Sequence, residues 1–176
     1  MFKYACHKAE IDINKIKIID AGNGNEMDAA FREGVGQYIH QQGPAPQQLA
    51  ADGVGHVVAE LGPTIGSCGF SSLAATPAWL ATDTAKAFTR AYIKTRNYMN
   101  DASASEIAKA EKPLFPNIDL EVLTDCIATY QAMGCWTRHI DITQDGYDAM
   151  LNIFEYDGKL PQRYSYDQVC TLPPTV

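Results

Sequence analysis

The chain has 176 residues and a net charge of −7, with 46% hydrophobic and 20% charged residues. These proportions are typical of a globular protein, and a chain of this length can bury about 70% of the surface that its unfolded form exposes. The negative charge disfavours partners with phosphate backbones or anionic membrane surfaces. No apolar run reaches about 18 residues, so the sequence predicts no membrane span.

The N-terminal residues lack the apolar stretch and the small-residue cleavage site of a signal peptide. We therefore expect a periplasmic location if a signal lies upstream, and a cytoplasmic location otherwise. None of the five cysteines forms a Cys-x-x-Cys pair, which disfavours zinc and thioredoxin chemistry. A bridge between Cys126 and Cys135 stays open, although buried free thiols are expected for most of the cysteines.

The first part of the chain alternates between predicted helices and predicted strands. Runs of β-branched residues indicate strands, and apolar residues three or four positions apart indicate helices. In chain order the prediction is the end of a helix at 2–9, a strand at 16–20, a turn at 21–25, a helix at 26–33, a strand at 35–40, a helix at 45–51, and strands at 56–60 and 71–75. This order is typical of a parallel α/β sheet.

The rest of the chain is predicted to be helical. Its segments are a helix starting at Thr76-Pro77, a long helix at 83–100, a short one opened by a Ser103-x-x-Glu106 capping box, one at 120–134, one at 143–158, and an irregular tail from 161. The composition shifts near 66–69. We therefore expect two units, a small α/β lobe at 1–68 and a helical remainder at 69–176, with too few strands to cover the apolar helix faces.

Two polar loops are candidate ligand contacts. Asn23 and Asn25 lie where the first predicted strand opens into a helix, and backbone N–H groups there suit an anion or a polar ligand. His40, Gln41 and Gln42 follow the next predicted strand, and ligands of open α/β sheets lie beyond the carboxyl ends of strands. The two loops should converge, but a plain turn and an exposed polar loop are equally open interpretations.

No residue set points to catalysis or to a metal. The four histidines lie far apart, and no nucleophile signature surrounds them. The acidic run at 141–148 lacks the spacing of a calcium-binding loop. Lys86, Arg90 and Lys94 are spaced as a solvated helix face. We expect no enzyme activity, no cofactor and no nucleic-acid partner.

Taken together, these segments resemble the C-terminal part of the two-lobed substrate-binding proteins of ABC importers, in the nitrate/sulfonate/taurine and thiamine-precursor group. The segments that carry the resemblance are 1–11, 18–20 with Gly22, 27–34, 38–49, 71–79, 87–92 and 134–143. The family's N-terminal half has no counterpart here. Gln41-Gln42-Gly43 replaces the Glu or Trp that the family often has before the proline of its ligand loop.

The resemblance implies an incomplete type 2 periplasmic-binding fold that closes its lobes around a ligand. It implies a solute-binding component of an ABC-type transport system, or a truncated relative, with an ABC permease as partner if exported. Ser67, Ser71 and Ser72, near the crossover between the lobes, would join the ligand contacts. The expected ligand is a small polar organic molecule or an anion.

Two alternatives remain. The chain is an oligomeric interaction or regulatory module without a complete ligand site of its own, because an incomplete sheet leaves an open edge that favours a homo-oligomer. An enzymatic role is the weaker alternative. Some thiamine-pyrimidine synthases share the fold and use a histidine, but no residue set here supports that chemistry.

Overall fold

A computed structural model describes residues 1–176, and every regular element in it is helical. Helices hold 53% of the residues. The α-helices are α1 Phe2–Lys8, α2 Gly24–Arg32, α3 Ala45–Ala51, α4 Gly62–Ile65, α5 Pro77–Leu80, α6 Asp83–Asp101, α7 Ala104–Glu111, α8 Leu120–Ala132, α9 Gln144–Tyr156 and α10 Tyr166–Val169. Two 3₁₀ turns lie at Ile13–Lys15 and Lys112–Leu114.

The predicted α/β periplasmic-binding fold is wrong for this chain, because the structure contains no strand and no sheet. The four segments predicted as strands, 16–20, 35–40, 56–60 and 71–75, are irregular. β-Branched residues favour a pleated backbone, but a strand also needs a neighbouring segment that exchanges backbone hydrogen bonds with it. None of these segments finds such a neighbour within the chain.

The helix predictions are confirmed where the start signals are strong. α3 spans the predicted residues 45–51, and α6 begins at the predicted Asp83. The Ser103–Glu106 capping box is formed, and the Thr143 side chain accepts a hydrogen bond from the Gly146 backbone N–H. These caps satisfy backbone donors that helix geometry leaves unpaired, so they can be read from local sequence.

One hydrophobic cluster joins α7 to α8. Its buried members are Ile107, Ala108, Leu123 and Ile127. Beyond α7, the Lys112 ammonium donates to three backbone carbonyl oxygens of the loop at 115–118, at 2.6–3.2 Å. This one side chain therefore ties down the loop that leads into α8.

A second cluster brings together the two ends of the chain. Ala5 of α1, Ile65 of α4 and Ile153 of α9 are buried against one another. Close by, the Gly69 N–H donates to the Gly146 carbonyl oxygen at 2.9 Å. Contacts therefore run between residues 1–68 and residues 69–176, and the division into two units stays a prediction.

All five cysteines are free, so no Cys126–Cys135 bridge is formed, and Cys6 and Cys126 are buried.

No helix in the structure combines the length and the apolar character that a bilayer crossing requires.

Candidate functional site

The loop at 40–44, here called the amide loop, is held in place from two sides. The Gln41 side-chain amide donates to the carbonyl oxygen of Gly24, in the first turn of α2, at 2.6 Å. The Gly43 N–H donates to the Tyr130 hydroxyl of α8 at 3.2 Å. The two polar loops singled out in the sequence therefore meet, although no sheet brings them together.

Gly43 lies against α8 more closely than any other residue could. A Cβ at this position would lie 2.7 Å from the Cys126 Sγ and 2.8 Å from the Tyr130 hydroxyl. Contacts between heavy atoms are normally about 3.5–4.0 Å. The glycine thus allows the amide loop to rest directly on α8.

The thiol and the phenol beneath the amide loop are not poised for catalysis. Burial raises the pKa of Cys126 to about 11 and also raises the pKa of Tyr130. Both groups therefore stay protonated at neutral pH, whereas a nucleophilic cysteine needs a lowered pKa. Their contacts instead support the loop.

An open hollow of about 410 Å³ lies beside the amide loop. Its polar lining comes from His40, Gln41 and Gln42, with Asp157 and Lys159 at the end of α9. Its apolar lining comes from Met1, Met27, Phe70, Met150, Ile153 and Phe154. A few convergent polar groups on a mostly apolar wall, in a volume of about 300–1,000 Å³, are typical of small-molecule sites.

A second hollow, of about 310 Å³, continues the first along α1. The two share His40, Ile153, Asp157 and Lys159 and the N-terminal Met1. Together they form one groove between the amide loop, α1 and the C-terminal end of α9. The groove can admit an extended molecule as well as a compact one.

The His40 imidazole lies in both parts of the groove. Its ring stacks on Phe2, with the centroids 5.7 Å apart and the planes at 28°. Burial lowers the pKa of His40. At neutral pH the ring is therefore uncharged, and one nitrogen can donate a hydrogen bond while the other accepts one.

Two lysines of the groove face one carboxylate. Asp157 pairs with Lys159 at 2.8 Å and with Lys3 at 3.6 Å. The hydrogen bond from Lys159 holds the pKa of Asp157 below its usual value. Lys3 and Lys159 therefore share a single carboxylate, and this corner of the groove keeps an excess of positive charge.

Of the eight residues predicted as ligand contacts, three line the groove and five do not. His40, Gln41 and Gln42 line the groove. The Asn23 side-chain oxygen Oδ1 caps α2 by accepting from the N–H groups of residues 25 and 26, and Asn25 lies exposed in the first turn. Ser67, Ser71 and Ser72 are exposed and line neither hollow.

Several groove residues escaped prediction from the sequence. Met150 and Phe154 share the helical spacing of a buried face, and in the structure Met150 is buried whereas Phe154 is 40% exposed in the groove. Asp157 and Lys159 follow the end of α9, and Phe70 lies between the predicted crossover residues Ser67 and Ser71. No local signal separates these residues from ordinary core or surface positions. In the structure, no cluster of three or more His, Cys, Asp or Glu side chains is placed to hold a metal ion.

Comparison with known proteins gives one informative match. The chain is 27% identical over 173 residues to a Bacillus subtilis (strain 168) protein named "Putative binding protein YtlA". The match covers 95% of this chain and 51% of that relative, so the chain spans about half of the relative's length. No family model matches the chain, and no solved structure matches it. The relative's name points to a binding role.

Proposed function

We propose that the groove beside the amide loop binds a small, uncharged organic molecule with a flat apolar body and polar edges. The observation that carries the proposal is the convergence of His40, Gln41 and Gln42 with Phe70 and Phe154 around one hollow of about 410 Å³. Uncharged amides and a neutral imidazole can direct hydrogen bonds to a ligand without requiring that it carry charge.

The apolar wall and the engaged lysines of the groove support a neutral ligand over an anion. Lys3 and Lys159 both face Asp157, so an anion would have to compete with that carboxylate for them. The aromatic side chains offer ring faces to a flat molecule. The sequence alone leaves two ligand classes open, a small polar organic molecule or an anion. The groove favours the polar organic molecule.

The proposed role is binding without catalysis, as the solute-binding component of an ABC-type transport system or a truncated relative of one. The relative's name supports this role. The polar lining of the groove consists of one stacked imidazole, two amides and a carboxylate that faces two lysines.

A thermal-shift and calorimetric screen tests the proposal with thymine, benzoate, taurine and nitrate. Thymine, as a neutral planar probe, should raise the melting temperature, since a ligand at 100-fold excess over its Kd adds about 2.7 kcal/mol of stability. Nitrate and benzoate, as anions, and taurine, as a zwitterion, should add nothing. His40→Ala should abolish the shift with thymine, whereas the exposed Ser72→Ala should leave it unchanged. Stabilisation by nitrate or benzoate but not by thymine would contradict the proposal.

A second candidate function is an oligomeric interaction or regulatory module. The observation that favours it is the large surface that the chain leaves exposed, with 16 of 176 residues buried. The two functions are compatible, because exposed apolar side chains such as Val58, Leu73 and Leu114 lie outside the groove.

A further inference from the structure

The chain exposes more surface than a compact monomer of its mass. Its accessible surface is 11957 Å² at 19.3 kDa. A compact folded chain of that mass exposes about 8,500 Å². The excess of about 3,500 Å² per chain is enough for an obligate interface, since such interfaces bury about 2,000–5,000 Å² over both partners.

Part of this excess lies on two neighbouring irregular segments, 17–21 and 36–41, here called the open edge. No backbone N–H or C=O group in either segment makes a hydrogen bond within the chain. A Cβ on Gly36 would lie 3.8 Å from the Ile19 side chain, so the segments adjoin. Ile18, Ile19 and Tyr38 are 55%, 44% and 80% exposed.

The open edge is electrically neutral on a chain that carries a net charge of −7. Lys17 and Asp20 are its two charged residues and cancel each other. Two copies of an acidic chain repel each other over most of their surfaces, but they do not repel where this edge faces its own copy.

We infer that the open edge is a self-association surface, on which a second copy of this chain pairs its own open edge. An unpaired backbone carries donors and acceptors in equal number, so it complements itself across a two-fold axis. The apolar side chains of the edge then become buried in the dimer. This inference goes beyond the proposed binding function and does not depend on it, although Ile18, His40 and Gln41 belong to both the open edge and the groove.

Sedimentation velocity over a wide concentration range, combined with amide hydrogen exchange, tests the inference. Wild-type protein should sediment as a dimer, with slowed exchange of the amides at 17–21 and 36–41. Tyr38→Lys adds a positive charge to the open edge of each copy and should weaken dimerisation by about ten-fold or more, or 1.4 kcal/mol. The matched control is Leu114→Lys, since Leu114 is 77% exposed and belongs to the 3₁₀ turn at Lys112–Leu114 and not to the open edge.

Tyr38 and Leu114 are both exposed, so the far-UV circular dichroism of both variants should match that of the wild type. A wild-type monomer at every concentration would overturn the inference. A dimer that both lysine variants weaken equally, or that neither weakens, would overturn it as well.

Discussion

The contact between Gly43 and α8 gives the sharpest prediction about the groove. In Gly43→Ala the added methyl group would meet the Cys126 Sγ at 2.7 Å and the Tyr130 hydroxyl at 2.8 Å. Cys126 is buried, so its side chain has little room to move. Overpacking of this kind costs about 1–3 kcal/mol, and we expect that loss in the free energy of unfolding.

Urea denaturation followed by far-UV circular dichroism measures this loss. Ser72→Ala is the control, since Ser72 is exposed. It should change the free energy of unfolding by no more than about 0.5 kcal/mol, as surface substitutions usually do. The double variant Gly43→Ala/Cys126→Ala should lose less stability than the sum of the two single variants, because removing the sulfur makes room for the methyl group.

The same substitution should weaken ligand binding, because the amide loop must move away from α8 and carries Gln41 and Gln42 with it. A Gly43→Ala variant within about 0.5 kcal/mol of the wild type, the range of ordinary surface substitutions, would refute the close packing of the loop. Additive losses in the double variant would refute the role of the Cys126 sulfur.

Three further predictions concern single side chains. Tyr130→Phe should lower the free energy of unfolding by about 0.5–1.5 kcal/mol, because the Gly43 N–H loses its acceptor; equal stability in urea titrations would contradict this. Lys112→Met should cost about 1.5–3 kcal/mol, because three loop carbonyls lose a charged donor; an unchanged urea midpoint would contradict it. Because burial lowers the pKa of His40, the unfolded chain takes up its proton first. The free energy of unfolding should therefore fall as the pH drops below about 6.5 and level off below the pKa of His40 in the folded protein. His40→Gln should remove this loss from urea titrations run at several pH values. The same pH dependence in the variant and the wild type would contradict the prediction.

The helices could be predicted because their signals are local. Asp83 to Asp101 form α6 because Thr82 caps its first turn and few breakers follow. In contrast, the β-branched run at 16–20 gives no strand, because pairing depends on a distant segment that local sequence does not specify. The fold class was wrong for this reason.

The groove was predictable in part. The sequence places His40, Gln41 and Gln42 beyond the end of a predicted strand. In the structure they line the groove without any strand, because Tyr130 and Gly24 position their loop. Asn23 caps α2, and an asparagine three residues before Glu26 is the sequence signal for that capping box. The aromatic wall depends on tertiary packing between distant elements, which no local pattern specifies.

The central claim is that the groove beside the amide loop binds a small neutral molecule. A titration of isotope-labelled protein with thymine, followed by amide and side-chain NMR signals, tests it most directly. We predict saturable shifts at residues 40–42, Phe70 and Phe154, and their loss in His40→Ala. Saturable shifts confined to other residues, or no saturable shift, would contradict the claim.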